Sequence, residues 1–280
     1  LLNGLIDFFP ESSVTPLARI ELSQVLDDLE LTREAVRYAT QTVQAYPDHP
    51  DVLRNAGMLL QKNGDVLDAA RSLLAAHSVG AGDPELLYAA GQLFREAQSY
   101  AEAKKAFLEL SQDYARSRQG LLGNIELSRL LFIEGRVSDS LDRLEGLASI
   151  TNSSSRKIPV LIALGELYQS LNLSKKVADV YGEIAILTNE PELLAQSATA
   201  LLTTGIVDDG LRIAAELDVQ QLTPATAYVF LNAKGWGVMR RNAKEGLGYL
   251  EQAHASYPDQ RTADGVQRLL EANLTLDRSA

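Results

Sequence analysis

Residues 50–83 read PDVLRNAGMLLQKNGDVLDAARSLLAAHSVGAGD, and residues 84–117 read PELLYAAGQLFREAQSYAEAKKAFLELSQDYARS. Laid one over the other, the two stretches match. Leu53, Gly57, Leu60, Gly64, Ala69, Leu73 and Ala76 stand against Leu87, Gly91, Phe94, Gln98, Ala103, Phe107 and Leu110, each 34 positions later. Asn63-Gly64 supplies a stop between two helices, because glycine takes the left-handed conformation that closes one. A fixed 34-residue period with small residues at the eighth and twentieth places describes a helical hairpin copied along the chain.

Outward from this stretch the period continues. It resembles the tetratricopeptide repeat family, whose pattern has bulky residues at places 4, 7, 11 and 24, small ones at 8, 20 and 27, and proline at 32. The resemblance implies an all-α, right-handed superhelical solenoid of antiparallel helix pairs. Units are expected near 16–49, 50–83, 84–120, 121–157, 158–190, 191–223 and 224–258. The first holds Leu22, Ser23, Leu26, Ala35, Ala39 and Pro47 in register, with Arg19 where the family has tryptophan. Thr15-Pro16 predicts its start: a hydroxyl cap, then a residue that needs no hydrogen bond there. Unit four keeps Leu127, Ser128, Leu131, Gly135, Ser140, Leu144 and Leu147 but begins 37 residues after unit three. About three extra residues therefore fall around Ser117–Gly120. Unit five begins near Ile158, after a polar loop, Thr151–Lys157, that is expected to be a hinge. Unit six keeps Leu194, Ala198, Leu201, Gly205, Gly210 and Ala214. The last unit is anchored by Gly246, Leu250, Ala253 and Pro258. Its eighth place is assigned to Ala233, which puts the sole tryptophan, Trp236, in the aromatic core place. A closing amphipathic helix is expected over 261–278, with Val266, Leu269, Leu270 and Leu274 on one side. Residues 1–10 resemble the tail of a second repeat helix, so the chain is expected to be a segment of a longer protein.

One pairing rule supports this register. The helices of each hairpin cross closely where the eighth and twentieth residues meet, so both must be small. The pairs are Ser23/Ala35, Gly57/Ala69, Gly91/Ala103, Ser128/Ser140, Gly165/Val177 and Ala198/Gly210. Only the fifth has a bulky member, and there its partner is glycine.

Composition bounds what such an array does. The 280 residues carry a formal charge of −11, and a surface this acidic repels phosphate backbones, so nucleic acid is an unsuitable partner. No apolar run approaches the roughly 18 residues of a membrane span. Cysteine is absent, which excludes disulfides, zinc ribbons and thiol nucleophiles and suits an oxidising compartment, periplasmic rather than cytoplasmic. The histidines, His49, His77 and His254, are far apart and lack a second histidine at helical spacing, so no metal or general base is expected from them. No Gly-rich phosphate loop and no Ser/His/Asp order stands out. Asp27-Asp28 and Asp208-Asp209 fall near turns, as solvated caps do. The chain is therefore expected to be non-enzymatic, with no cofactor.

What remains is recognition. The resemblance implies that first helices line the concave face and that places 2, 5, 9, 12 and 13 point into it. Unit three then contributes Glu85, Tyr88, Gln92, Arg95 and Glu96, and unit two contributes Asp51, Arg54, Met58, Gln61 and Lys62. Unit five adds Ile162, Glu166 and Gln169. Unit four stands apart with Leu122, Ile125, Arg129, Phe132 and Ile133, nearly all apolar. Such a patch is costly to leave wet unless a partner covers it, or unless the helix turns to bury Phe132 against unit five. The basic clamp by which some family members grip acidic C-terminal tails is absent from units one and two. The expected function is a scaffold that binds a peptide or partner protein on the concave face. By analogy with the family it belongs to a bacterial envelope secretion or polysaccharide export assembly. The alternatives are a homo-oligomeric structural module, or a spacer for a catalytic domain outside this segment.

Overall fold

The computed structural model describes residues 6, 8, 11–80, 82–239 and 241–256. Among them are 14 α-helices, one short 3-10 turn and no strand. The helices pair as hairpins: α1 Thr15–Asp28 with α2 Thr32–Ala45, α3 Pro50–Lys62 with α4 Val66–Val79, and α5 Pro84–Glu96 with α6 Tyr100–Asp113. There follow α7 Arg118–Ile133 with α8 Val137–Ile150, α9 Ser154–Ser170 with α10 Ser174–Leu187, α11 Pro191–Thr203 with α12 Val207–Ala214, and α13 Pro224–Met239 with α14 Ala243–Ser256. The fold is the all-α hairpin array that the 34-residue period implies. It divides into two compact units, Leu1–Arg143 and Leu144–Ala280. Of the helix expected over 1–10 only Ile6 and Phe8 are described, both helical. The closing helix expected over 261–278 lies outside the described residues.

Helix starts follow the local chemistry. Proline opens α3, α5, α11 and α13, where its missing N–H has no intrahelical partner to lose. Asp83 accepts the Glu85 amide at 2.9 Å and Ser117 accepts that of Gly120 at 2.9 Å, while the His49 ring caps α3 through the Val52 amide. Thr15 is not the cap expected of it. It lies inside the first turn of α1, behind Val14.

The stops are more regular than the residue types suggest. Place 15 is left-handed in all of the first six hairpins: Glu30, Gly64, Gln98, Gly135, Asn172 and Gly205 have φ between 56° and 86°. The following amide then donates to the carbonyl five residues back, as in Leu31 to Leu26 at 2.9 Å, Ser99 to Phe94 at 2.8 Å and Ile206 to Leu201 at 2.9 Å. That bond satisfies an otherwise orphaned carbonyl at the helix end.

Packing is set at the crossings. A Cβ on Gly57 would stand 2.7 Å from Leu73, one on Gly91 2.6 Å from Phe107, and one on Gly165 2.7 Å from Tyr181. The place-24 side chain thus fills the volume that the eighth-place side chain vacates. The fourth hairpin uses hydrogen bonds instead: Ser128 Oγ donates to the Ser140 carbonyl at 2.7 Å and Ser140 Oγ to the Ser128 carbonyl at 2.8 Å. Arg19, at the tryptophan place of the first hairpin, lays its guanidinium 5.2 Å from the Tyr38 ring centroid.

Four details depart from the sequence expectation. The extra residues before unit four do not lengthen the connection but add a turn to α7, which starts at Arg118 and runs 16 residues. The Ser-rich stretch at 151–157 is mostly helix as well: α9 begins at Ser154, and the Arg156 and Lys157 amides donate to the Ser153 carbonyl. Asp27 is not a solvated cap, since its side chain is 4% exposed and pairs with Lys62 Nζ at 2.6 Å, tying α1 to α3. Finally, the seventh crossing is Gly235/Gly246, not Ala233/Gly246. A Cβ on Gly235 would meet the Gly246 carbonyl at 2.9 Å, and one on Gly246 the Gly235 carbonyl at 2.8 Å. The spacing there is one residue short of the other hairpins, and the two-position shift carries Trp236 out of the core to 50% exposure.

Polar clips support each unit. In the first, the buried His77 ring stands 2.8 Å from the Asp83 carbonyl and 3.1 Å from Glu109, and Tyr114 donates to the Gly82 carbonyl at 2.8 Å, so both fasten the α4–α5 connection. In the second, Glu145 accepts from Lys176 Nζ at 2.8 Å and from the Tyr168 hydroxyl. Lys176 and then Tyr168 hold the Glu145 carboxyl below its ordinary 4.5, and Glu145 holds the Lys176 ammonium above its ordinary 10.5.

Two outcomes are expected. Gly246→Ala should destabilise by about 3 kcal/mol, because its Cβ would meet backbone atoms of Gly235 and Met239 that cannot move aside, as overpacking does. Gly248→Ala, with nothing within 4 Å, should stabilise by about 0.5–1 kcal/mol through helix propensity. Equal effects in urea melts would place the crossing elsewhere. For the Glu145 clip, a depressed folded-state value means stability that is present above pH 4.5 and lost as pH falls through the lower folded value. Thermal melts of the native chain and Glu145→Gln should differ at neutral pH and converge in acid. A gap undiminished in acid would exclude the carboxylate as its source.

Candidate functional site

In the second unit, α11 and α13 lie side by side as the first helices of adjacent hairpins. They approach closely at Leu202 and Gly237, where a Cβ on the glycine would stand 2.9 Å from Leu202 Cδ2. Without that side chain a groove of about 760 Å³ stays open above them. Leu202 is its buried floor, and Val229 and Trp236, 51% and 50% exposed, stand along one wall with Met239. Thr199, Thr203, Tyr228 and Asn232 supply hydroxyl and amide groups, and among the described residues no charged one lines it. A smaller cleft of about 380 Å³ shares Thr199 and Val229 and continues past Leu193, Gln196 and Ala225 toward Glu192. The Glu192 carboxylate is already engaged. It accepts from the Thr223 amide at 2.6 Å, and hydrogen bonds from Thr226 and Thr223 hold its carboxyl below its ordinary value.

Val229, Asn232, Trp236 and Met239 occupy places 2, 5, 9 and 12 once Gly235 is the eighth residue. These are the places that the family resemblance assigns to the concave face. Sequence reasoning missed the groove only because Ala233 took the eighth place. The signal was present in Gly235 and Gly246, a pair of glycines that fits the small-residue crossing better than Ala233 does.

The sequence-predicted site residues fall into three groups. In the first unit Tyr88, Gln92 and Arg95 of α5 come together with Arg129 of α7. Gln92 Nε2 donates to the Tyr88 hydroxyl at 2.9 Å, and both guanidiniums reach Glu126, a residue that the sequence did not single out. Burial, with Glu126 beside it, pushes the Tyr88 phenol up against the opposing pull of Arg129, Arg95 and Arg118. The apolar set of unit four does not form one open patch. Ile133 is 55% exposed and Leu122 and Phe132 are half-buried, but Ile125 is 3% exposed and belongs to the core. The physical reason is that α7 is apolar nearly all round, and such a helix is covered on most faces. Arg54, on α3, pairs loosely with Asp51 at 3.9 Å, apart from that cluster, and Glu166 lies exposed on α9 of the second unit.

Among the described residues no group of three or more His, Cys, Asp or Glu side chains could hold a metal ion, and no helix is long and apolar enough to cross a membrane. His49 is a helix cap and His77 a loop clip, while His254 keeps a buried Nδ1 without a hydrogen-bond partner among the described residues.

No family model matches the chain, and no curated protein matches it in sequence. Solved structures do match in fold. PilF of Pseudomonas aeruginosa superposes with a TM-score of 0.50 at 15% identity, over 90% of this chain and 96% of that one. The C-terminal part of a TPR repeat-containing protein from Cytophaga hutchinsonii gives 0.53 at 12% identity, over 88% and 98%. The APC/C hetero-tetramer Cut9–Hcn1 gives 0.52 at 11%, over 96% of this chain and 51% of that one. The fold is therefore tetratricopeptide-like.

Proposed function

We propose that the chain is a non-enzymatic scaffold that captures a segment of a partner protein along its first helices, with the α11–α13 groove as the principal seat. The observation that carries this is the groove itself: about 760 Å³, with no charged side chain among its described lining residues and with Trp236 and Val229 half exposed on its wall. Exposed aromatic and aliphatic side chains around an open groove are what an interface anchor fills, and tryptophan dominates such contacts. A helix or extended segment with apolar residues on one side suits the shape, and the ring of threonines and Asn232 can bond its backbone. The first unit by itself offers a separate candidate surface, Tyr88, Gln92, Arg95 and Arg129 with Leu122, Phe132 and Ile133. The setting we favour is an envelope assembly for secretion or polysaccharide export. It is supported by the family's usage and by a cysteine-free composition that suits an oxidising compartment.

Because Trp236 is the only tryptophan, its emission reports this groove alone. In the free protein it should be quenched readily by acrylamide. Peptides selected from a displayed library of random dodecamers should carry an apolar or aromatic anchor, shield Trp236 on binding, and bind Trp236→Ala about 30-fold more weakly, the effect of a 2 kcal/mol hot spot. Selected peptides that bind Trp236→Ala and Val229→Glu as tightly as the native chain would remove the groove from the function.

A further inference from the structure

Sulfur is scarce in this chain, and half of it stands in the groove. The 280 residues hold no cysteine and two methionines, Met58 and Met239. Met58, on α3 of the first unit, is 57% exposed. Met239 is the sole sulfur of the second unit, half-buried, and lines the groove at the C-terminal end of α13. The crossing beside it fixes its backbone. A Cβ on Gly246 would stand 2.8 Å from Met239 Cα and 2.9 Å from Met239 N, so this part of α13 is pressed against α14. The side chain is left to the groove, where Trp236 stands three residues earlier on the same helix face.

A methionine in such a wall has two properties. Its flexible, polarizable thioether adapts to varied apolar partners. It also has a reaction that leucine lacks, conversion to the sulfoxide. With no thiol in the chain to be oxidised first, that reaction falls on Met58 and Met239.

We propose that Met239 is an oxidation site whose sulfoxide weakens the hold of the groove on its partner segment. The sulfur lone pair attacks the terminal oxygen of a hydroperoxide, and the O–O bond breaks as the S–O bond forms. The proton passes to the departing oxygen, which leaves as the alcohol, or as water from hydrogen peroxide. Sulfur loses two electrons and the peroxide gains them. The product puts a polar S–O acceptor, with no proton of its own, on a wall where burial of apolar surface supplies the binding. A segment seated on Trp236 and Val229 then covers an acceptor without a donor, which is unfavourable. Where Asn232 or Thr203 of the same lining supplies the donor, the segment's backbone loses that partner instead. Methionine sulfoxide reductases reverse the step. The assignment rests on the groove being the seat of the partner segment.

The test treats the native chain, Met58→Leu and Met239→Leu with hydrogen peroxide and compares each with its own untreated form. Leucine replaces methionine at nearly constant volume, so both variants should keep the native melt. Peptide mass mapping should find one added oxygen at Met239 and one at Met58. Without any peptide, Trp236 emission should move on treatment of the native chain and of Met58→Leu, and stay fixed in Met239→Leu. A peptide selected from random dodecamers for shielding Trp236 should bind the oxidised native chain and oxidised Met58→Leu about tenfold more weakly, the effect of covering one unpaired polar group. Oxidised Met239→Leu should match its untreated form, and sulfoxide reductases should restore the native affinity. Met239 left unmodified while Met58 is fully converted overturns the proposal, as does an unmoved Trp236 emission. So does a peptide that binds the sulfoxide as tightly as the thioether. An affinity loss that accompanies unfolding, or that persists in Met239→Leu, overturns it as well. Each of these leaves the groove reading standing, whereas a library that yields no peptide shielding Trp236 sinks both.

Discussion

The structure depends on one constraint: within each hairpin two helical backbones meet where neither can carry a side chain larger than the gap. At Gly235 and Gly246 the demand is absolute, since each missing Cβ would fall within 3 Å of the other residue's carbonyl oxygen. At Gly57, Gly91 and Gly165 the space is not left empty but taken by Leu73, Phe107 and Tyr181 from the second helix. A small residue at one place thus creates the need for a large one sixteen places later, which is why both recur with one period. Ser128 and Ser140 meet the same geometry differently, exchanging two buried hydrogen bonds with the facing carbonyls. One solution fills the crossing with a side chain and the other satisfies its polar groups, and close packing with paired polar atoms is what stabilises such a contact.

Because that constraint is local, six hairpins were legible from residue size alone. The left-handed stops were legible at Gly64, Gly135 and Gly205 by type. Asn172 is marked more weakly by type, since asparagine tolerates φ > 0, whereas at Glu30 and Gln98 only the period marks the stop, because hairpin packing overrides an intrinsic preference against φ > 0. The extra residues before α7 and the serines before α9 misled for a related reason. Polar residues that look like loop also cap and extend helices, and only the bonds their backbones make decide between the two. Asp27 was misjudged because its partner, Lys62, is 35 residues away, beyond any local pattern.

The candidate site was less legible, because facing is more sensitive than existence. Each residue turns a helix by about 100°, so a two-residue error in register rotates a side chain by roughly 200° and exchanges core for surface. Assigning Ala233 rather than Gly235 to the crossing did this to Trp236, and a hairpin one residue short gave the error room to arise. Ile125 failed in the opposite direction. It occupies a groove place by count, but α7 is apolar almost all round, so place number does not predict exposure there.

That same apolar helix carries the buried Glu126, and the combination is informative. Taking a carboxylate out of water costs several kcal/mol, and pairing it with half-exposed arginines recovers only part of that. A leucine would serve packing better at that position. What the carboxylate does is hold two guanidinium heads in fixed directions, which an apolar side chain cannot do. The groove of the second unit has a different character, with apolar and neutral polar side chains as its described lining, where burial of apolar surface supplies binding energy. In protein recognition, apolar anchors contribute affinity and fixed charges contribute selectivity and encounter rate.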